Sequence, residues 1–200
     1  QNINELETLL EFTINRHYPE LKHKNDKAQN LLNLLIERQC DLVVNWMRVG
    51  FIHGVMNTDN MAISGETIDY GPYGWLDDFD PEWTPNTTDA ANRRYRYSQQ
   101  PAIAQWNLMQ LANAILPLIG DPKPLEQSLS RYAKTYETSW QEMMASKLGL
   151  SSFDETLVNQ LLGILVEGQI DMTLFFRELG NRASVDLEAS PILELTSYLE

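Results

Sequence analysis

The most apolar helical pattern in the chain runs from Lys27 to Val49 and constrains the fold more than any other feature. Its apolar positions form a stripe that is too wide for a helix lying on a surface. They are Leu31, Leu32, Leu35, Ile36, Val43, Trp46 and Met47. The pattern predicts a central, largely buried helix, and Gly50 is the residue expected to end it.

A second helical pattern precedes the central one, over residues 3–18. Pro19 ends it, because a proline disfavours a helical residue before it. Asn25 or Asp26 then suits the N-cap of the central helix. The predicted buried face of the first helix consists of Leu6, Leu9, Leu10 and Ile14.

Helical patterns resume at Pro101, a residue suited to the first turn of a helix. Pro117 and the turn at Gly120 are expected to end this segment. Either Ser152 or Asp154 suits the cap of a later helix, and Asp171 gives another an acidic start. The further helices are predicted at residues 124–147, 154–166 and 169–180.

Between these helical regions the chain loses its helical period. Residues 51–60 are predicted to form a loop. Residues 61–63 and 67–69 are short strand candidates, and the turn between them would join them in a hairpin. Residues 70–97 carry glycines, prolines, acids and aromatics without a period, which indicates a long irregular loop. Loops of this length in compact domains are usually functional. The fold class predicted is mainly α, with one small β-hairpin and one long loop.

Asn60 and Asp69 stand at the two ends of the predicted hairpin. A tight hairpin places its ends side by side, so the amide and carboxylate oxygens can converge on one point. These are hard ligands that suit Mg²⁺ or Mn²⁺. Since magnesium often takes only one or two protein carboxylates and completes its shell with substrate phosphates, two ligands suffice for a nucleotide-bridged metal. Asp59 is adjacent and is placed to act as a base, and Gly71 would let the backbone turn away.

The order of these residues is that of a kinase catalytic segment. There, a His-x-Asp-x-x-x-x-Asn loop is followed by a hairpin and by Asp-Phe-Gly. His53 and Asn60 have this spacing, and Asp-Tyr-Gly at 69–71 replaces Asp-Phe-Gly conservatively. The position of the usual catalytic aspartate holds Val55, which cannot accept a proton. The ordinary base is missing, and an aspartate appears later, at Asp59.

The joint motif is His-Gly-Val-Met-Asn-Thr-Asp-Asn-Met at 53–61 and Thr-Ile-Asp-Tyr-Gly-Pro at 67–72. It continues as Tyr-Gly-Trp-Leu-Asp at 73–77 and Arg-Tyr-Arg-Tyr-Ser-Gln-Gln-Pro at 94–101. In these motifs the chain resembles the selenoprotein O family, pseudokinases that act as protein adenylyltransferases. The resemblance is strongest over residues 48–111.

This resemblance implies a protein-kinase-like fold, of which the chain would supply the C-terminal helical lobe. It implies that ATP is bound in a flipped orientation and that AMP is transferred to Ser, Thr or Tyr hydroxyls of proteins. Asp59 would be the proton acceptor. Asn60 and Asp69 would bind Mg²⁺ or Mn²⁺, and Asp69 would also face the nucleotide. The family's phosphate-clamping lysine and arginines, its glycine-rich lobe and its C-terminal selenocysteine or cysteine have no counterpart in this sequence.

We therefore expect residues 1–200 to form one domain within a longer protein, with these parts: helices at 1–50, the catalytic loop, hairpin and Asp-Tyr-Gly at 51–71, a long loop at 72–100, and a helical remainder at 101–200. The start at Gln1 inside a helical pattern supports the same expectation. A kinase pocket needs both lobes, so the chain alone is expected to be inactive. The competing functions are an atypical phosphotransferase that uses Asp59, and a non-catalytic pseudokinase scaffold.

The formal net charge of -13 argues against a nucleic acid or an anionic membrane surface as partner. Protein substrates and nucleotide are the expected partners, and the oligomeric state is left open. The only cysteine, Cys40, lies in an apolar helical pattern and is expected to be buried and reduced. The expected compartment is the cytoplasm, or the mitochondrion if the source is eukaryotic.

Several residues have a plainer interpretation. Asp59 and Asn60 are common turn formers, but their spacing within the motif favours the catalytic interpretation. His53 is expected to hydrogen-bond its own loop. Asn86 begins an Asn-Thr-Thr glycosylation sequon that is not expected to be used. The side chains expected to lie in the core rather than to bind a ligand are Trp46, Trp106 and Trp140.

Charged side chains in the long loop fall into two groups. Asp77, Asp78 and Asp80 could hold a metal or attract a basic substrate, but a solvated acidic loop is favoured at roughly two to one. The basic group is expected to pair with these acids rather than to face phosphates, and it consists of Arg93, Arg94 and Arg96.

Overall fold

A computed structural model describes residues 2–185, with side chains to residue 182, and it is mainly helical. The end of the predicted helical remainder, at 186–200, lies outside the described residues. The described α-helices are α1 (Ile3–His17), α2 (Lys27–Val49), α3 (Gln100–Ile119), α4 (Lys123–Lys147), α5 (Glu155–Glu167) and α6 (Met172–Val185).

Helix α2 is the central element, as its pattern predicts. It packs against both α3 and α4, and Leu32, Leu35 and Val43 are at most 1% exposed. Gly50 ends it in the left-handed conformation, with φ of 71°, and its N–H donates back to the last turn. The chain therefore passes from α2 directly into the buried residues Phe51 and Ile52.

The sheet lies elsewhere than the sequence predicts. Strands β1 (Phe51–Ile52) and β2 (Gly74–Trp75) pair antiparallel, with Phe51 opposite Trp75 and Ile52 opposite Gly74. The predicted strands at 61–63 and 67–69 are wrong, because only one isolated bridge, Met61 to Thr67, joins them. The loops predicted at 51–60 and 70–97 thus each contain one strand of the pair.

Helix α2 explains why residues 61–68 do not form a ladder. The Gln39 amide donates to the Ala62 carbonyl at 2.8 Å, and Arg38 donates to the Ser64 carbonyl at 3.1 Å. The indole N–H of Trp46 reaches the Thr67 hydroxyl at 2.9 Å. Side chains of α2 therefore take bonding positions that a strand partner would use, and the segment lies against the helix.

The cap predicted at Asp154 is confirmed, the acidic start predicted at Asp171 is itself a cap, and Asp26 is not a side-chain cap. The Asp154 carboxylate accepts from the Leu157 N–H at 3.0 Å, and the Asp171 carboxylate accepts from the Leu174 N–H at 2.7 Å. Asp26 precedes α2 but makes no side-chain cap, since its own backbone is left-handed, with φ of 53°.

Helix ends and faces differ from the predictions in three places. Pro117 does not end α3, which continues to Ile119 before Gly120. Helix α6 begins at Met172 rather than at residue 169. On α1, Leu9 is 60% exposed although Ile14 is fully buried, so the buried face is narrower than predicted.

Of the three tryptophans assigned to the core, Trp46 is buried, at 5% exposure. Trp140 is partly buried and packs against Phe153. The assignment of Trp106 to the core is wrong, because its ring is 39% exposed and carries the Arg94 guanidinium on its face. Among the described residues, no helix has the length and apolar character needed to cross a membrane.

Truncating a buried side chain of α2 should cost far more than truncating an exposed one on α1. We expect Leu32→Ala to lower the free energy of unfolding by about 2–5 kcal/mol, because it opens a cavity in the core. Leu9→Ala, the matched control, should change it by less than about 0.5 kcal/mol. Urea unfolding of both variants measures the difference, and equal losses would contradict the assignment of the core.

Cys40 is completely buried, and burial, followed by the charges of Asp41 and Glu37, raises its pKa to about 12. The unfolded thiol ionises near pH 8.5, so the folded state favours the neutral form. The stabilisation that comes from keeping the Cys40 thiol neutral is fully present below that pH. It is lost as the pH rises from there towards 12, because the unfolded thiol ionises first. Burial likewise raises the pKa of Tyr97 and Tyr132 above the ordinary tyrosine value near 10. The free energy of unfolding should therefore fall more steeply with pH above that value.

We therefore expect the free energy of unfolding to fall between pH 9 and 10 by about 1 kcal/mol more in the wild type than in Cys40→Ala. Denaturant unfolding at fixed pH values measures this slope. Parallel curves for the two proteins in that interval would show that the thiol makes no such contribution. Cys40→Ser is the control for the cavity that the alanine leaves, because serine nearly fills the space of the thiol and does not ionise in this pH range.

Candidate active site

His53 is a structural residue, as predicted. It follows β1 directly and is 2% exposed. Its Nε2 lies 2.8 Å from the Ile68 carbonyl, and its Nδ1 accepts from the Val55 N–H at 3.4 Å. These two bonds suit a neutral ring with the proton on Nε2. Since both nitrogens are occupied, His53 ties residues 53–55 to the segment before Asp69.

Gln100, in the first turn of α3, completes the backbone bonding around β1. Its amide nitrogen donates to the Phe51 carbonyl at 2.9 Å, and its amide oxygen accepts from the His53 N–H at 3.0 Å. The side chain is fully buried. The Gln100 amide therefore makes the hydrogen bonds to β1 that a third strand would make. The described residues contain no such third strand.

Three asparagines cap the next carbonyls in turn. The amide of Asn86 donates to the Gly54 carbonyl, and that of Asn107 to the Met56 carbonyl, both at 3.0 Å. The amide of Asn60 donates to the Val55 carbonyl, also at 3.0 Å. We call these three asparagines together with Gln100 the carboxamide clamp. It holds the irregular backbone of residues 51–56 in one conformation.

Gly54 is required where this backbone passes residue 72. Its φ is 79°, and a Cβ at this position would overlap the Pro72 carbonyl oxygen. Gly71 has no such role, since its surroundings are open and the left-handed residue of the turn is Asp69, with φ of 56°. The turn here also includes a short bond from the Gly71 N–H to the Asp69 carbonyl, at 2.8 Å.

Asp59 lies in a single 3-10 turn, Thr58–Asn60, and its side chain is exposed. The neighbouring Asn57 accepts from the Tyr95 hydroxyl at 2.5 Å, which ties this turn to the long loop. The carboxylate of Asp59 is thus presented to solvent on an anchored turn.

Asn60 and Asp69 belong to segments that the fold brings alongside each other. The bridge between Met61 and Thr67 places Asn60 and Ile68 on one side of it, and Asp69 follows directly. Because the Asn60 amide nitrogen is bonded to Val55, its oxygen is the atom left to face a ligand. Asp69 is exposed. A left-handed backbone at a non-glycine residue is a strained conformation of the kind found at functional sites.

The donor set at Asn60 and Asp69 consists of one amide oxygen and one carboxylate. Within residues 2–185, no three His, Cys, Asp or Glu side chains are grouped so as to hold a metal ion. An amide oxygen and a carboxylate are donors of the kind that a hard divalent ion takes together with phosphates and water.

Exposed aromatic rings follow Asp69 along the chain. Tyr70, Tyr73 and Trp75 are 41–59% exposed, and each packs against Phe51 with ring centroids 5.4–6.4 Å apart. The rings continue the path of the chain from Asp69 to β2. A surface of this kind, next to a candidate catalytic residue, is suited to contact another protein segment.

The predicted pairing of the loop arginines with the acidic group is wrong. Arg96 pairs with Glu82 at 3.0 Å, and Arg93 donates to the backbone carbonyl of Glu82. Arg94 lies 4.8 Å from the ring centre of Trp106. The acids at 77, 78 and 80 are exposed, as the solvated interpretation predicts.

Asn86, Gln100 and Asn107 are the site residues that the sequence analysis does not single out for a role here. Asn86 is 7% exposed, and its oxygen accepts from the Thr88 N–H. It is therefore a structural residue rather than a glycosylation site in the folded chain. The sequence marks Gln100 only as part of the Arg-Tyr-Arg-Tyr-Ser-Gln-Gln-Pro motif. A motif of this kind does not predict which backbone carbonyl the side-chain amide will bond.

Comparison with known proteins gives a family match over almost the whole chain. The family described as "Protein adenylyltransferase SelO" matches residues 1–197. A protein nucleotidyltransferase YdiU of Rhodopirellula baltica is 48% identical over 204 residues, which cover 97% of this chain and 38% of the relative.

Two further proteins of the same name are similarly related. The one from Aromatoleum aromaticum is 51% identical over 191 residues, covering 94% of this chain and 36% of the relative. The one from an Azoarcus species is 48% identical over 200 residues, covering 98% and 38%. The chain thus spans less than two-fifths of the length of these relatives.

The two glycines of the motif should differ sharply when they are replaced. Gly54→Ala forces a Cβ into the Pro72 carbonyl in a left-handed backbone, so we expect a loss of more than about 2 kcal/mol in the free energy of unfolding. Gly71→Ala meets open space and should change it by less than about 1 kcal/mol. Thermal and urea unfolding measure both, and equal effects would contradict the close approach at residue 72.

Proposed function

This chain belongs to the protein adenylyltransferase SelO family, and on that basis we propose that the protein carrying it transfers AMP from ATP to Ser, Thr or Tyr hydroxyls of other proteins. We further propose that residues 1–200 act as one domain, the helical lobe of a kinase-like fold. The order of a buried helix, a histidine segment, a returning loop and an Asp-Tyr-Gly sequence supports this assignment.

The observation that carries the proposal is the arrangement of residues 53–60. Both ring nitrogens of His53 are used in holding the backbone, and Val55 has no group that can accept a proton. Asp59 is the exposed carboxylate of this segment. The carboxamide clamp fixes the backbone that leads to it, so this carboxylate has a defined place from which to act as a base.

The proposed reaction joins the acceptor hydroxyl to the α-phosphorus of ATP. As the new P–O bond forms, the bond between the α-phosphorus and the bridging oxygen breaks, and pyrophosphate leaves with its electrons. The hydroxyl proton goes to the carboxylate of Asp59. The products are AMP-modified protein, pyrophosphate and the proton released from Asp59.

Asn60 and Asp69 are the residues that would hold Mg²⁺ or Mn²⁺, through the amide oxygen of one and the carboxylate of the other. The metal, when bound, neutralises phosphate charge and stabilises the departing pyrophosphate. A nucleotide-bridged ion is also compatible with the strongly negative chain, because the ion reverses the local sign. The bond from the Asn60 amide nitrogen to the Val55 carbonyl leaves the amide oxygen as the atom that would take this role, which supports the proposal.

The chain alone should lack this activity. Its relatives are more than twice as long, and the resemblance places the phosphate-clamping residues outside this sequence. The remaining candidate functions differ in which bond of ATP breaks, or in whether one breaks at all. A phosphotransferase using Asp59 would break the bond to the γ-phosphorus, and a scaffold would bind nucleotide without turnover.

Labelled ATP separates these functions in the full-length protein. With Mg²⁺ or Mn²⁺ and a protein acceptor, we expect label from the α-phosphate to be retained on protein, and none from the γ-phosphate. Asp59→Asn should lower the rate by about 10²–10⁴-fold, because it removes the proton acceptor. Scintillation counting of precipitated protein and intact mass measure the transfer.

Asp121→Asn, at the turn between α3 and α4, is the matched control and should leave the rate unchanged. Retention of label from the γ-phosphate alone would favour the phosphotransferase. A full rate in Asp59→Asn would overturn the role of this carboxylate. Metal-dependent thermal stabilisation by ATP, present in the wild type, lost in Asp69→Ala and never accompanied by product, would favour the scaffold.

A further inference from the structure

A groove of about 460 Å³ runs beside β2 on the surface of the chain. Its aromatic walls are Trp75 and Trp83, which are 52% and 37% exposed. Its apolar floor includes Leu76 and Phe79, which are buried. Exposed tryptophans lining a concave surface are unusual for a side chain that gains so much from burial, and they indicate a contact surface.

The same groove carries the carboxylates of Asp77, Asp78 and Asp80. Among the described residues none of these carboxylates has a basic partner, since the described ion pairs involve other acids. The carboxylate of Asp80 only accepts from the Glu82 N–H. The acid groups are thus concentrated and left without positive charge.

Nearby arginines could have neutralised the groove, but the fold directs each of them away. Arg96 pairs with Glu82, and Arg93 donates to the Glu82 carbonyl. Arg94 lies over the rings of Tyr95 and Trp106. The negative charge of the groove is therefore a consequence of the folded structure and cannot be read from the loop sequence alone.

The backbone that carries the acids is held by hydrogen bonds to residues 170–172, at the start of α6. The Phe79 N–H donates to the Ile170 carbonyl at 2.9 Å, and the Met172 N–H donates to the Asp77 carbonyl at 2.8 Å. Within residues 2–185, no three His, Cys, Asp or Glu side chains are grouped so as to hold a metal ion. The three carboxylates of the groove therefore do not converge on one point. Acids distributed along an aromatic-walled groove suit an organic cation better than a metal ion.

The groove is one strand away from the candidate active site. Trp75 lies opposite Phe51 across the β1–β2 pair, and His53 follows β1 directly. The ring of Trp83 packs so closely over Gly74 that a Cβ there would lie 2.9 Å from it. Contacts between the rings of Tyr70, Tyr73 and Trp75 run from the residue after Asp69 to one wall of this groove.

We propose that this groove binds an arginine or lysine side chain of the protein substrate, close to the hydroxyl that is modified. A guanidinium stacks on tryptophan faces and pairs with carboxylates, so one side chain satisfies both features of the groove. The inference deepens the proposed function and rests on it for the identity of the partner as a substrate.

Binding of a short Gly/Ser peptide that carries arginine, labelled with fluorescein, tests the groove without any transfer of AMP. The matched probe is the same peptide with citrulline, which keeps the shape and removes the charge. In full-length protein without ATP, we expect the arginine peptide to bind about tenfold more tightly than the citrulline peptide by fluorescence anisotropy. Added salt should reduce this preference.

The triple variant Asp77→Asn, Asp78→Asn and Asp80→Asn should abolish the preference. Asparagine at position 80 can still accept the Glu82 N–H, so the turn is retained, and a thermal melt checks the fold. The control is Glu7→Gln, Glu37→Gln and Glu137→Gln, which removes the same charge from exposed positions on three helices. This control should retain the full preference if the groove, and not overall charge, recognises the peptide.

Equal binding of the two peptides, or equal preference in the groove variant and the wild type, would overturn the proposal. A preference lost equally in both triple variants would also overturn it, because net charge would then explain the binding. The outcomes are independent of catalysis. If the groove variant alone loses the preference but labelled ATP gives no AMP transfer, the groove is supported and the proposed function is rejected. If AMP transfer occurs but the arginine peptide is not preferred, the proposed function is supported and the groove proposal is rejected.

Discussion

The arrangement of the site depends on side-chain amides that satisfy an irregular, buried backbone. Residues 51–56 are largely buried but have only a two-residue strand pair to bond their peptide groups. Buried carbonyls without partners are costly, so each must be met by a donor. The carboxamide clamp provides these donors from three separate parts of the chain, and the loop therefore forms only when α3 and the long loop are both in place.

Helix α2 supplies the complementary support. It carries Gln39 against the returning segment at Ala62, and Asn107 of α3 bonds Met56 at the other end of the same stretch. Within the part of the chain that the structure describes, the amide oxygens of both residues are buried and accept no hydrogen bond. The fold thus tolerates two unpaired acceptors where the amide nitrogens hold the candidate catalytic segment. This is a local cost that precise positioning of a site can justify.

The sequence predicts the helices well because their signals are local. The apolar stripe of α2, Gly50 after it and the Asp154 cap each depend on residues within a few positions. The strands could not be located in this way. Phe51 and Trp75 pair across a long gap in sequence, and the segment that looked like a hairpin is bonded by α2 side chains instead. The site residues could be named from their motif, but their partners could not, because an amide carries no sequence signal for the carbonyl it meets.

The positions of Val55 and Asp59 acquire a common physical explanation from these contacts. The N–H of Val55 donates to the His53 ring, and its carbonyl accepts from the Asn60 amide. The position of Val55 is therefore fixed through its own peptide groups and not through its side chain. A side chain with a catalytic proton is not needed there for the segment to fold. The next turn, Thr58–Asn60, carries Asp59 with its side chain exposed to solvent. A loop whose backbone is fixed by side-chain amides therefore does not need an acidic group at position 55 to keep its shape.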